Sequence, residues 1–505
     1  MTVIRLLALA GLLLTSSLTI AQPKPPQTAN QLKDPADAAM RQLGAAFVQE
    51  SPHVGLSVGI VRNGQPYFYN FGTTEKGRRQ LPTAQTRYES ASVSKTFTSL
   101  LLAQAVVEKK VKLTDDIRRY LPGSYPNLAF EGQPIKLVDL ANTTSGLPDN
   151  LPEWAAAGQG APSDSTPARL LKSIQGYTKA RFYQYLHTVR LTDTPGAVPR
   201  HSNVAAQLLG HLLEDIYHTP YEQLVRQYIE RPLQMANGFA IEGKAGPLAT
   251  GYNENGRPMP LLAEATALQA AAGLKYSTAD MLKYLQYQVA EKDAAVRLSH
   301  QPAWGNPDSE AMALNWQLDR TIDRQRKLQT SGGAFGFASF CVLYPDTKLG
   351  IVLLANESDP ATQEKLEELS EKLLVALRGI PPAQQALESS LRAADYQQAF
   401  EVVQTVKQKH PELHLTEDYV NTWGYQLARA GQLKQALALF KLNVRLFPTA
   451  WNTYDSLAET YALLGDRAEA IANYRRSLAL NPKNENGAEQ LKKLEADAAP
   501  SPSGG

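Results

Sequence analysis

The sequence predicts an α+β domain, in which helices pack on a mainly antiparallel sheet, followed by an all-α domain of helical repeats. Three observations carry this prediction. Apolar runs rich in β-branched residues stand at both ends of the stretch 54–355, with helical and loop-rich sequence between them. Beyond about Gly379 strand signals vanish, and Ala, Leu, Gln and Lys recur at helical spacing. Within that region Gly431 and Gly465 open two segments that match each other 34 residues apart. Strands gathered at the two ends of a domain belong to α+β architecture rather than to alternating βαβ units. A fixed period of that length marks stacked helix–turn–helix units.

At the N-terminus Arg5 precedes a charge-free, mostly apolar run from Leu6 to Ile20, then the small-x-small site Thr19-Ile20-Ala21. The run falls short of the roughly 20 residues that span a bilayer, so 1–21 is read as a cleaved signal peptide. Residues 22–35, rich in Pro, Gln and Lys, follow as a mobile leader. The expected location is outside the cytoplasm, periplasmic or extracellular, with no membrane span after cleavage. The lone Cys341 excludes an intrachain disulfide and a Cys-based zinc site. A net charge of +2 without a long basic run argues against a nucleic-acid partner.

The first domain is expected over 36–378. Its opening strand, Val54 to Val61, is followed by Asn63-Gly64, the strongest short hairpin signal, and by a second strand from Tyr67 to Phe71. A helix starts near Ser92, with Phe97, Leu101 and Ala105 four apart, and Leu100, Ala103 and Val107 beside them. Two late strands, Phe335 to Tyr344 and Leu349 to Ala355, are joined by the turn sequence Pro345-Asp346-Thr347-Lys348. Helical repeats are expected over 380–492 and a disordered tail over 493–505. In the two matching repeats Ala436 and Ala470 let helices approach, Phe440 and Tyr474 fill the gap, and Pro448 and Pro482 end the units. These units resemble the tetratricopeptide repeat. Ala386 to Pro411 reads as a decayed first unit. Stacked repeats need about three units, so this domain is expected to lean on the first domain or on a protein partner. Trp423, Trp451, Tyr454 and Tyr461 suggest a binding groove, but aromatics at repeat positions are read first as core.

The chemistry is carried by Ser92-Val93-Ser94-Lys95, the one Ser-x-x-Lys in the chain, at the start of the predicted helix. Residues three apart share a helix face, so the hydroxyl and the amine can meet. A serine hydroxyl needs a base, and a desolvated lysine with a depressed pKa can be one. A helix N-terminus adds positive potential where an oxyanion forms. The tetrad alone also reads as a capped helix start with a surface lysine.

Its surroundings favour the chemical reading. Ala91 to Thr98, Leu113-Thr114-Asp115-Asp116, Thr144-Ser145-Gly146-Leu147-Pro148, His201-Ser202-Asn203, Arg231-Pro232-Leu233-Gln234-Met235, Ala272-Gly273-Leu274 and Thr330-Ser331-Gly332-Gly333 follow one another as landmarks. With them, residues of about 54 to 378 resemble the class C β-lactamase and serine penicillin-binding family.

The resemblance implies an acyl-enzyme on Ser92, with Lys95 as base and Asn203 bonding both the lysine and the substrate amide. It implies an oxyanion hole from the N–H groups of Ser92 and Gly333. Thr330, Ser331 and Gly332 then stand at the substrate strand. Asn150, shortly after Pro148, is read first as a turn residue and otherwise as an amide offered to the substrate. Thr143 stands where the family often has His. Two departures bear on function. His201 replaces the family's Tyr; it is read as a proton relay, or else as a structural histidine. Thr330 replaces the third-motif cation, which weakens the case for β-lactams and carboxylate-terminated peptides. Lys327 is no substitute, since strand alternation turns it to the other face. No cofactor or metal is expected. The expectation is an exported serine hydrolase acting on amide or ester bonds of a small-molecule or peptide substrate. The alternative is a non-catalytic cell-wall peptide-binding protein whose repeats assemble partners.

Overall fold

The computed structural model describes residues 33, 35–50, 52–159, 165–191, 193–236, 238, 245–262 and 266–496. The expected signal peptide and nearly all of the leader lie outside the described residues.

Eight antiparallel strands form the main sheet: β1 (Gly55–Arg62), β2 (Gln65–Gly72), β3 (Trp304–Asn306), β4 (Glu310–Met312), β5 (Gln317–Arg320), β6 (Arg326–Gly333), β7 (Ala338–Tyr344) and β8 (Leu349–Ala355). Their spatial order is β2-β1-β8-β7-β6-β5-β4-β3. Strands from the two ends of the domain meet where β1 pairs β8, Leu56 opposite Ala355 and Arg62 opposite Leu349. Asn63 (φ 52°) and Gly64 (φ 76°) make the two-residue hairpin loop between β1 and β2, because this turn demands positive φ at both positions. β1, β7 and β8 are buried on both faces, which is why they read as unbroken apolar runs.

Helices α1 (Ala36–Gln49) and α5 (Thr362–Arg378) cover one face, packing on Leu56, Val58, Phe340 and Leu353. On the other face lie α2 (Ser94–Val107), α3 (Asn203–Tyr217) and α4 (Thr278–Ala290). α2 is the central helix, with every residue from Ser94 to Ala103 buried. The loops that carry function run over its N-terminal end.

Seven further helices follow: α6 (Pro382–Ala393), α7 (Ala399–Lys409), α8 (Glu417–Arg429), α9 (Leu433–Leu446), α10 (Trp451–Leu463), α11 (Arg467–Leu480) and α12 (Glu485–Ala496). α6 with α7 takes the place of the decayed first unit. Gly431 and Gly465 turn between helices at φ 77° and 80°, while Ala436, Phe440, Ala470 and Tyr474 are buried. Two expectations need correction. Residues 493–496, expected in the tail, belong to α12; the rest of the expected tail lies outside the described residues. The four aromatics read as core are covered unequally: Trp423 and Tyr461 pack against the repeat core, Trp423 edge-on to Tyr396 and Tyr419, whereas Trp451 is 37% exposed. Phe440 and Tyr474 already fill the space between helices.

The repeat domain leans on the first domain. Ile322, in the turn between β5 and β6, belongs to the repeat core with Leu387, Leu391 and Val403. Its carbonyl accepts the His414 N–H at 2.8 Å, and Arg378 bonds Asp323 at 3.0 Å. Among the described residues no helix is long and apolar enough to cross a membrane.

Candidate active site

The nucleophile candidate sits in a strained turn. Ala91 has φ 46°, a left-handed conformation that costs a non-glycine residue about 1 kcal/mol or more. Ala91–Val93 forms a short 3₁₀ turn leading into α2, so Ser92 lies just before the helix rather than inside it. Two neighbours hold the turn. The Ser90 N–H donates to Leu274 O at 2.9 Å, and the Leu274 N–H donates to Ser94 Oγ at 3.2 Å. That is the structural role of the Ala272-Gly273-Leu274 landmark. From the sheet side β6 presses Gly332 against the turn. A Cβ there would come within 2.6 Å of Ser90 O and 2.9 Å of the Ser92 nitrogen, so only glycine allows this approach.

Lys95 is 4% exposed. Its Nζ donates to Ser92 Oγ at 2.7 Å, to Asn203 Oδ1 at 2.7 Å and to Ala271 O at 3.1 Å. Burial pushes its pKa down to about 7, against the opposing pull of the Asp149 charge. An amine poised there can give or take a proton near neutral pH.

His201 and Asn203 come from the start of α3. Ser202 caps this helix by accepting the Ala205 N–H at 3.0 Å and donates its own hydroxyl to Pro148 O at 2.6 Å. The loop before Asn150 is fastened to the same end: Asp149 O accepts the Asn203 N–H at 2.7 Å, and Thr143 O accepts the Arg200 N–H at 2.6 Å. Gly146 (φ 69°) lets the loop pass Asp193 O, which a Cβ would meet at 2.6 Å. His201 Nε2 therefore stands 3.5 Å from Ser92 Oγ.

Asp149 escaped the sequence reading. Its Oδ1 lies 2.5 Å from His201 Nδ1, while Oδ2 accepts Asn150 Nδ2 at 2.7 Å. It stands next to Asn150, but 52 residues separate it from His201, and only the fold joins them. Asn150 itself turns inward: its Oδ1 accepts Asn203 Nδ2 at 2.7 Å, so both ends of its amide hold neighbours.

On β6 the three strand residues divide between faces. Cross-strand partners share a face. Thr330 lies opposite Cys341, on the α2 side, as does Gly332, which meets the serine turn. Ser331 lies opposite Phe340, on the α5 side, away from the nucleophile. Lys327 is also on that side, near Glu367 and Glu371 of α5. The Ala334 N–H donates to Phe337 O at 2.8 Å. The alternation of an antiparallel ladder then turns the Gly333 N–H away from β7, to the edge beyond which β5 no longer pairs. Among the described residues no cluster of His, Cys, Asp and Glu could hold a metal ion.

The sequence profile of the Beta-lactamase family matches residues 37–376, and that of the tetratricopeptide repeat matches 451–484. The chain is 27% identical over 357 residues to a beta-lactamase of Pseudomonas fluorescens, covering 62% of this chain and 91% of that one. It is 26% identical over 346 residues to the D-alanyl-D-alanine-carboxypeptidase/endopeptidase AmpH of Escherichia coli strain K12, covering 65% and 86% respectively. A solved beta-lactamase/D-alanine carboxypeptidase from Pseudomonas syringae superposes with a TM-score of 0.57 at 21% identity, over 68% of this chain and 99% of that one. A class C beta-lactamase gives 0.56 at 22% identity, over 69% and 97%; these two likenesses concern the fold. The chain belongs to the beta-lactamase family and carries a tetratricopeptide repeat near its C-terminus.

Proposed function

We propose that this protein is an exported serine hydrolase that opens amide or ester bonds through an acyl-enzyme. The observation that carries the reading is the buried Lys95 amine, 2.7 Å from the Ser92 hydroxyl and easily deprotonated. Ser92 Oγ attacks the carbonyl carbon and its proton passes to Lys95. The N–H groups of Ser92 and Gly333 stabilise the oxyanion. His201 relays that proton from Lys95 to the leaving group, which departs; water then adds to the acyl carbon, its proton passes to Oγ and the acyl–Oγ bond breaks. Asn203 holds the lysine, and Asn150 holds Asn203. Thr330 and Gly332 border the substrate on β6; Ser331 acts there only through its backbone.

The substrate class is a D-amino-acid peptide, a β-lactam or a small ester. With threonine at 330 in place of a cation, a broad hydrolase fits the site better than a dedicated β-lactamase. The intact Ser–Lys–Asn cluster favours turnover over binding alone. The stretch 1–21 read as a signal peptide supports export, and the repeat domain supports docking of a protein partner.

A fluorophosphonate probe should label wild type covalently, and Ser92→Ala should abolish both labelling and hydrolysis of a p-nitrophenyl ester. Equal labelling of the two proteins, read by intact mass, overturns the proposal.

A further inference from the structure

The hydrogen bonds around Ser92 form a closed ring. Ser92 Oγ meets Lys95 Nζ, which meets Asn203 Oδ1; Asn203 Nδ2 meets Asn150 Oδ1, and Asn150 Nδ2 meets Asp149 Oδ2. Asp149 Oδ1 then meets His201 Nδ1, and His201 Nε2 returns to Ser92 Oγ. The serine is thus approached by a buried amine from one side and an imidazole backed by a carboxylate from the other.

We propose that Asp149 is a positioning residue that holds His201 with a bare Nε2 facing Ser92, giving the serine a second proton acceptor besides Lys95. This rests on the acyl-enzyme reading above. An ionised carboxylate only accepts hydrogen bonds, so the 2.5 Å contact places the hydrogen on Nδ1 and leaves the Nε2 lone pair for the hydroxyl. The 3.5 Å separation is within what a catalytic hydrogen bond shows before substrate tightens it.

The second acceptor has work to do because of what surrounds Lys95. Three acceptors encircle Nζ, which satisfies all three hydrogens of the ammonium. In that state the lysine has no lone pair, and the imidazole is what remains beside the hydroxyl. During acylation the Oγ–H proton moves to Nε2 as Oγ bonds the carbonyl carbon, and it leaves with the departing alcohol or amine. During deacylation a water proton moves to Nε2 as the water oxygen bonds the acyl carbon, and it returns to Oγ as the Oγ–carbon bond breaks. The charged groups facing this ring are Lys95 from α2, Asp149 from the 143–150 loop and, before α3, Arg200 already paired with Asp193 at 2.8 Å.

The test is a cycle of Asp149→Asn, His201→Gln and the double variant, with Asp149→Glu as the conservative change, assayed as kcat/KM on a p-nitrophenyl ester from pH 5 to 10. Asp149 is 55% exposed at its side chain, so folding should survive. Asp149→Asn should lose about 10²-fold, a typical general-base contribution. The loss should shrink at high pH, where Lys95 is neutral, and add nothing to His201→Gln; Asp149→Glu should regain part of it. A carboxylate acting only through its charge on Lys95 gives the opposite sign, because removing it lets the lysine lose its proton at lower pH and spares the acid range. That result, or full additivity with His201→Gln, overturns the assignment. Failure of the acyl-enzyme reading is seen separately, as wild type that the fluorophosphonate does not label.

Discussion

Lys95 illustrates how a function is written into one side chain at the expense of stability. Its ammonium gives up bulk water for three acceptors, and burial lowers its pKa from 10.5 to about 7. Between these values the unfolded chain holds a proton that the folded chain does not, so wild-type stability rises as pH increases from about 7 towards 10. Below pH 7 both states are protonated and this dependence ends. Each unit of separation corresponds to about 1.4 kcal/mol. Lys95→Met removes the titration but leaves Asn203 Oδ1 and Ala271 O without their donor. The variant should be inactive, and its stability relative to wild type should improve by about 1 kcal/mol or more as pH is lowered from 10 to 7. Urea unfolding at the two pH values measures this, and a difference independent of pH would show the amine to be fully solvated. The pair Ser92 and Lys95 was legible because one helical turn places them together. Asp149 was not: a carboxylate in a proline-flanked loop resembles any turn residue until α3 brings His201 beside it.

At the scale of elements, the site depends on a strand pushing into a strained turn. The Ala91 conformation and the contact of Gly332 with Ser90 O and the Ser92 nitrogen determine each other. Replacing Gly332 with Ala puts a methyl group inside backbone that has no flexible end to yield. The turn must shift by close to an ångström to restore ordinary contact from 2.6 Å, moving Oγ and the Ser92 N–H together. A misplacement near 1 Å can cost about 10²-fold in rate, so Gly332→Ala should lose roughly that in kcat/KM while keeping a cooperative thermal transition. Unchanged kinetics would show that β6 does not support the nucleophile. Strands buried on both faces, β1 and β8, were readable as apolar runs, and Asn63-Gly64 identified its hairpin. β3 and β4 were not readable, being three residues each and mixed in polarity. Phe335 was read as strand because it is apolar, yet it belongs to the turn between β6 and β7, where its ring lies 5.9 Å from Trp154.

For the whole molecule, the question is whether the repeats stand alone. Their matching units and the boundary near Gly379 were visible as periodicity, but a contact between domains has no period and was open to either neighbour. The structure joins them through Ile322, 9% exposed, whose side chain enters the core of α6 to α9 and whose carbonyl holds the His414 N–H. Three helix pairs and a closing helix form a marginal stack, so a side chain lent by the neighbouring domain matters to it. Ile322→Ala removes a buried branched side chain, worth about 2 kcal/mol or more. The loss should fall on the repeat domain alone, because Ile322 sits on a turn more than a strand's length from Ser92. Differential scanning calorimetry of the full chain should show an early transition split from the main one, while ester hydrolysis persists through it. If the variant instead unfolds in one transition at the wild-type temperature, the repeats stand without Ile322 and the contact is incidental.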